Sequence, residues 1–107
     1  MEAHLQVATT TEHKEDAEKI GKALVERRLA ACAQLVGPIV STYWWKGTIE
    51  TAEEWMCYVK TRTSLYNELE AAIKAIHPYE TPEIVAVPII RGSDDYLEWL
   101  DTEVKKA

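Results

Sequence analysis

A chain of 107 residues is the size of one folding unit, because single cores run to roughly 100–150 residues, and two independent domains are excluded. With 47% hydrophobic and 28% charged residues, and only four Gly and four Pro, it can bury a core and lacks the composition of a linker, a collagen or a disordered tail. Twelve Lys plus Arg against eighteen Asp plus Glu give a formal charge of -6, which argues against a nucleic-acid partner and makes cations the better-matched small partners.

His4 to Thr10 has the β-branched content of a first strand. Glu12, Glu15 and Asp16 then gather acidic charge where a helix N-terminus favours it, and Ala17, Ile20, Gly21, Leu24 and Arg28 share a face, so a helix is expected over 15–28. From Ala30 to Trp45 the residues turn β-branched and aromatic, with Gly37-Pro38 marking a bulge or kink. Lys46-Gly47 reads as a two-residue hairpin link into a third strand, Thr48 to Thr61. Ser64 is placed to cap a second helix through Leu65, Leu69, Ala72, Ile73 and Ile76, which His77-Pro78 stops. The apolar run Glu83 to Arg91 reads as a buried strand in which Pro88 implies an edge or bulge. Residues 95–105 close the chain as a short amphipathic helix.

The string βαββαβα, two βαβ halves around a central hairpin, describes a ferredoxin-like α+β sandwich: a single domain over 1–107, with an antiparallel sheet and helices on one face. That architecture settles no function. The longest uncharged stretch, Leu29 to Trp45, is broken by Gln34, Gly37, Pro38, Ser41 and Thr42 and is not a membrane span. Met1 to His4 carries no basic segment or apolar run of a secretory signal, so the cytoplasm is the expected location, with both cysteines as reduced thiols.

The hairpin is longer than the domain it belongs to. Arms of about fifteen residues at roughly 3.3 Å each reach on the order of 50 Å, against a diameter near 33 Å for a chain of this size. Either the tip overhangs, leaving Tyr43, Trp44, Trp45 and Trp55 to be covered by self-association, or a bend at Gly37-Pro38 folds it back. Counting back from the turn pairs Cys32 with Thr61 and Cys57 with Val36, four rungs apart and beyond disulfide reach.

Chemistry concentrates in His77-Pro78-Tyr79-Glu80-Thr81-Pro82-Glu83. His77 is a borderline ligand suited to copper or zinc, with Glu80 as an oxygen donor in the same turn, or else it caps the second helix. His4 and His13 read as surface residues, and Lys60 as a snorkelling lysine or an anion-binding charge. No catalytic constellation, phosphate loop or organic-cofactor motif is present, so an enzyme is not expected.

Leu29-Ala30-Ala31-Cys32, Ser41-Thr42-Tyr43-Trp44-Trp45-Lys46-Gly47, Glu53/Glu54, Lys60-Thr61, His77 to Ile84 and Tyr96-Leu97-Glu98-Trp99-Leu100 together resemble the CutA divalent-cation tolerance family across essentially the whole chain. The resemblance implies a ferredoxin-like fold, a homotrimer similar to the PII signalling proteins, a part in the response to metal ions, and Cu(II) binding. By position it implies Cys32, His77 and Glu80 near a metal, and Tyr43, Trp45, Lys60 and Tyr79 lining an inter-subunit pocket. Ala33-Gln34 stands where the family commonly has Val-Asn. A PII-like module holding a small anion in such clefts is the other function that the resemblance implies.

Overall fold

The computed structural model describes residues 3–106; Met1, Glu2 and Ala107, and with them part of the N-terminal leader reading, lie outside the described residues. The elements are β1 (His4–Thr11), α1 (Lys14–Glu26), β2 (Cys32–Trp45), β3 (Thr48–Arg62), a 3-10 turn (Thr63–Leu65), α2 (Tyr66–Ile76), β4 (Val85–Pro88) and α3 (Asp94–Glu103). The strands form one antiparallel sheet in the order β2-β3-β1-β4, the ferredoxin-like arrangement expected.

Alternation along each strand divides the sheet into two faces. One face sends Val7, Cys57 and Val59, flanked by Leu5, Ala33, Leu35 and Trp55, into a core with Ala17, Ile20 and Leu24 of α1 and Leu69, Ala72 and Ile73 of α2. Leu100 and Val104 close the core at its α3 end. The other face, carrying Gln34, Tyr58 and Lys60, lies away from α1 and α2 and meets α3 at its Cys32, His4 and Arg62 end, through Tyr96 and Asp101.

Five expectations are corrected in detail. The second helix does not start on a Ser64 cap: the 3-10 turn intervenes, and α2 begins at Tyr66 with no side-chain cap bond. The first helix ends early, because Arg28 adopts φ 61 and lets the Leu29 N–H reach back to the Leu24 carbonyl at 2.9 Å. The strand expected over 83–91 is only Val85–Pro88 and is exposed throughout, because it is an edge paired to β1 alone. His4 is not a surface residue: its ring Nε2 lies 2.8 Å from Asp101, which also accepts from Arg62, tying β1 to α3. The fifth correction is the hairpin register. Trp45 faces Thr48 as expected, but a bulge between Val36 and Ile39 shifts the pairing by one, so that Cys32 faces Lys60 and Leu35 faces Cys57.

Lys46 and Gly47 both adopt positive φ, 50° and 82°, the backbone that matches a two-residue hairpin to strand twist. β1 ends opposite Trp55, so Ile39–Trp45 and Thr48–Glu54 run on as a two-stranded ribbon beyond the sheet. The hairpin overhangs and does not fold back; the long axis of the molecule is 44 Å against 25 and 22 Å for the other two.

Candidate functional site

The bulge decides which side chains the ribbon presents on the face opposite α1 and α2. With uninterrupted pairing, Val40, Thr42 and Trp44 would share that face with Glu54; the one-residue shift replaces them by Ser41, Tyr43 and Trp45. Gly37 is required there, since a Cβ at this position would stand 2.5 Å from the Trp55 ring. Thr10, from the same face of β1, and the segment from Tyr79 to Glu83 complete a cleft of about 780 Å³.

The loop is held by its histidine. The His77 N–H ends α2 on the Ile73 carbonyl at 2.9 Å, as a helix C-cap. Its ring Nε2–H donates to the Thr10 carbonyl at 2.9 Å, while Nδ1 accepts the Tyr79 N–H at 3.1 Å. That pairing fixes the neutral tautomer with the proton on Nε2. Burial pulls the His77 pKa below its ordinary value, against the opposing pull of the Thr10 carbonyl and the Asp16 and Glu54 charges. Tyr79 packs on the His77 ring with centroids 4.9 Å apart and donates its hydroxyl to Glu54 Oε2 at 2.6 Å. Burial first, then this bond to a carboxylate, pushes the phenol pKa up, so Tyr79 stays protonated.

Glu54 is 5% exposed. Glu80 is exposed at the mouth of the cleft, its Oε2 3.9 Å from Lys46 Nζ, and the same ammonium stands 5.4 Å from the centre of the Trp45 ring. Tyr43, Trp45, Tyr79 and Glu80 are thus brought together, with His77 beneath them.

Cys32 and Lys60 belong to the other end of the sheet. They face each other across β2 and β3, where Cys32 Sγ lies 3.5 Å from the Tyr96 hydroxyl and Lys60 Nζ donates to Gln34 Oε1 at 2.7 Å. The strand between Cys32 and Tyr43 spans on the order of 35 Å. Within one chain, Cys32, His77 and Glu80 therefore do not converge, and among the described residues no three His, Cys, Asp or Glu side chains are placed to hold one metal ion. A resident metal does not fit a single chain.

The reading of the residues missed Glu54, Thr10 and Glu83 as lining groups. Counting back along β3 in steps of two from Lys60 reaches Glu54 on the same face, a signal the sequence did carry.

A family model described as CutA1 divalent ion tolerance protein matches residues 5–103. The divalent-cation tolerance protein CutA of Archaeoglobus fulgidus is 43% identical over 102 residues, covering 95% of this chain and 99% of its own length. Its Thermus thermophilus counterpart is 46% identical over 94 residues, covering 88% and 91%. Among solved structures, CutA1 from Oryza sativa superposes with a TM-score of 0.95 at 36% identity, covering 98% of this chain and 96% of the other. With that model spanning nearly the whole sequence and such relatives matched along nearly their full lengths, this chain belongs to the CutA divalent-cation tolerance family.

Proposed function

We propose that this family member is a homotrimeric, non-enzymatic cytoplasmic protein that binds Cu(II) or a related divalent ion, in the response to metal, between its subunits. The observation that carries the reading is the incompleteness of one chain: its candidate donors do not converge, while the ribbon and β4 leave apolar side chains uncovered. Glu80 and His77 of one subunit, with Cys32 of another, are the proposed donors. The His77 Nδ1 lone pair becomes available only if Tyr79 N–H gives it up, so binding is coupled to this loop. Imidazole binds a metal only when neutral, and burial favours that form.

The anion-binding reading rests on Lys60, whose ammonium already serves Gln34, and the carboxylates of the cleft oppose it. Calorimetric titration with Cu(II) at pH 7.5 tests the proposal. His77→Ala and Glu80→Gln are each expected to weaken binding at least tenfold, and wild-type affinity is expected to fall at pH 5.5. Equal affinity in wild type and His77→Ala removes His77 from the site, and saturable binding of a nucleotide or phosphate without any Cu(II) binding favours the anion reading.

A further inference from the structure

One residue, Tyr79, ties down the loop that follows α2. Among the described residues, the stretch from Pro78 to Ile84 makes no backbone-to-backbone hydrogen bond, and its hydrogen bonds are the two that Tyr79 makes. At one end the Tyr79 N–H donates to His77 Nδ1 at 3.1 Å, and at the other its hydroxyl donates to Glu54 Oε2 at 2.6 Å. Glu54 stands where β3 leaves the sheet for the ribbon and is 5% exposed. A short bond from a hydroxyl to a carboxylate is among the stronger kinds, and a buried carboxylate deprived of its donor is costly, so the phenol is firmly anchored.

The two bonds act in series. While the Nε2 proton stays on the Thr10 carbonyl, Nδ1 carries the one free lone pair of the ring, and the Tyr79 N–H occupies it. To uncover that lone pair, Tyr79 must swing off the ring on which it packs, with centroids 4.9 Å apart, and its anchor on β3 opposes the swing.

We infer that Tyr79 is a latch: its hydroxyl, anchored on Glu54, keeps its N–H over His77 Nδ1 and holds the loop in a closed, self-inhibited form. The inference rests on the reading of His77 as a donor and adds an equilibrium to it. A ligand of Nδ1 binds only the open form, so its apparent affinity is reduced by the fraction of molecules whose latch is open. The sign of the effect follows. A substitution that merely damages the site weakens metal binding, whereas one that unlatches Tyr79 strengthens it.

The test has two arms, both on the full chain at pH 7.5. In the first, amide hydrogen exchange is followed by NMR with EDTA present. The amide of residue 79 is expected to exchange at least tenfold faster in Tyr79→Phe and several-fold faster in Glu54→Gln, while the Val59 amide in the core keeps its wild-type rate. Glu54→Gln retains an acceptor for the phenol and removes a buried charge, so it keeps the test available if Tyr79→Phe folds poorly. The double variant is expected to match Tyr79→Phe alone, because the bond it would break is already gone. In the second arm, calorimetric titration with Cu(II) is expected to show several-fold tighter binding in both single variants than in wild type. Unchanged exchange at residue 79 would overturn the latch whatever copper does, and faster exchange with equal or weaker Cu(II) binding would overturn its inhibitory role. Faster exchange in proteins none of which takes up Cu(II) would uphold the latch and overturn the metal reading.

Discussion

His77 works as a strut. Its two ring nitrogens join the end of α2 to β1 and to the loop that carries Tyr79, and the bond to Tyr79 needs the neutral ring, because a proton on Nδ1 would point at the Tyr79 N–H. The groups facing the ring are the Thr10 carbonyl, Tyr79, and the Asp16 and Glu54 carboxylates, whose attraction for a proton is outweighed by burial. The pH dependence follows from that balance. The unfolded chain takes up the proton near the ordinary value of about 6.5 and the folded chain only at lower pH, so between the two the unfolded state binds more protons and stability rises with pH. The His77 contribution is complete above about pH 6.5 and is lost as pH falls through the folded value. Thermal midpoints measured from pH 7.5 to pH 5 are expected to fall more steeply in wild type than in His77→Gln, which cannot be charged. Parallel profiles would show that the strut does not titrate.

Among the elements, the β2–β3 hairpin decides most. One extra residue at Gly37-Pro38 changes the face on which every later β2 side chain stands, which puts Tyr43 and Trp45 into the cleft and also sets the cysteines on opposite faces. Cys57 lies opposite Leu35, three rungs from Cys32, and an odd number of rungs sends the two thiols to opposite faces: Cys57 into the core and Cys32 toward Tyr96. Two free thiols per chain are therefore expected under denaturing, non-reducing conditions. In the folded protein Cys57 is expected to react far more slowly than Cys32, since burial pushes its thiol pKa up to about 11. An intramolecular disulfide found by mass spectrometry would refute the register. The helix and strand string, the Lys46-Gly47 turn and the concentration of polar groups after α2 were all legible in the sequence, because each depends on local periodicity or on a residue with special backbone freedom. The register beyond Gly37 was not legible, since a Gly-Pro pair announces an irregularity without saying how many residues it absorbs. Nor was the exposure of β4: a run such as Val85-Ala86-Val87 records that the strand is to be covered and not by what. His4 was misjudged for a related reason, its partner Asp101 standing at the other end of the chain.

At the scale of the molecule, the uncovered surface is the feature in need of a cause. Val40 is exposed by 76%, Trp44 by 71% and Ile49 by 56% on a ribbon that extends the molecule to 44 Å, and Val85 and Val87 by half on the edge strand, with Ile90 just beyond it at 73%. Solvent on so many large apolar side chains is a liability for a small protein, and a strand edge beside them invites pairing with another copy. The homotrimer proposed above removes both. Light scattering at micromolar concentration is expected to give about three times the 12.2 kDa chain mass. Val87→Asp separates the two accounts of β4. If Val87 faces water, a carboxylate there changes stability by no more than about 0.5 kcal/mol and leaves the mass alone. If a neighbouring subunit covers it, the charge must be desolvated on assembly, the mass falls toward that of one chain, and the thermal midpoint falls with it. Trp45→Ala is expected to act in the same direction from the ribbon side, by removing an aromatic ring that can bury on the order of 150–250 Å². A single-chain mass for the wild type would leave the ribbon exposed and withdraw the trimer.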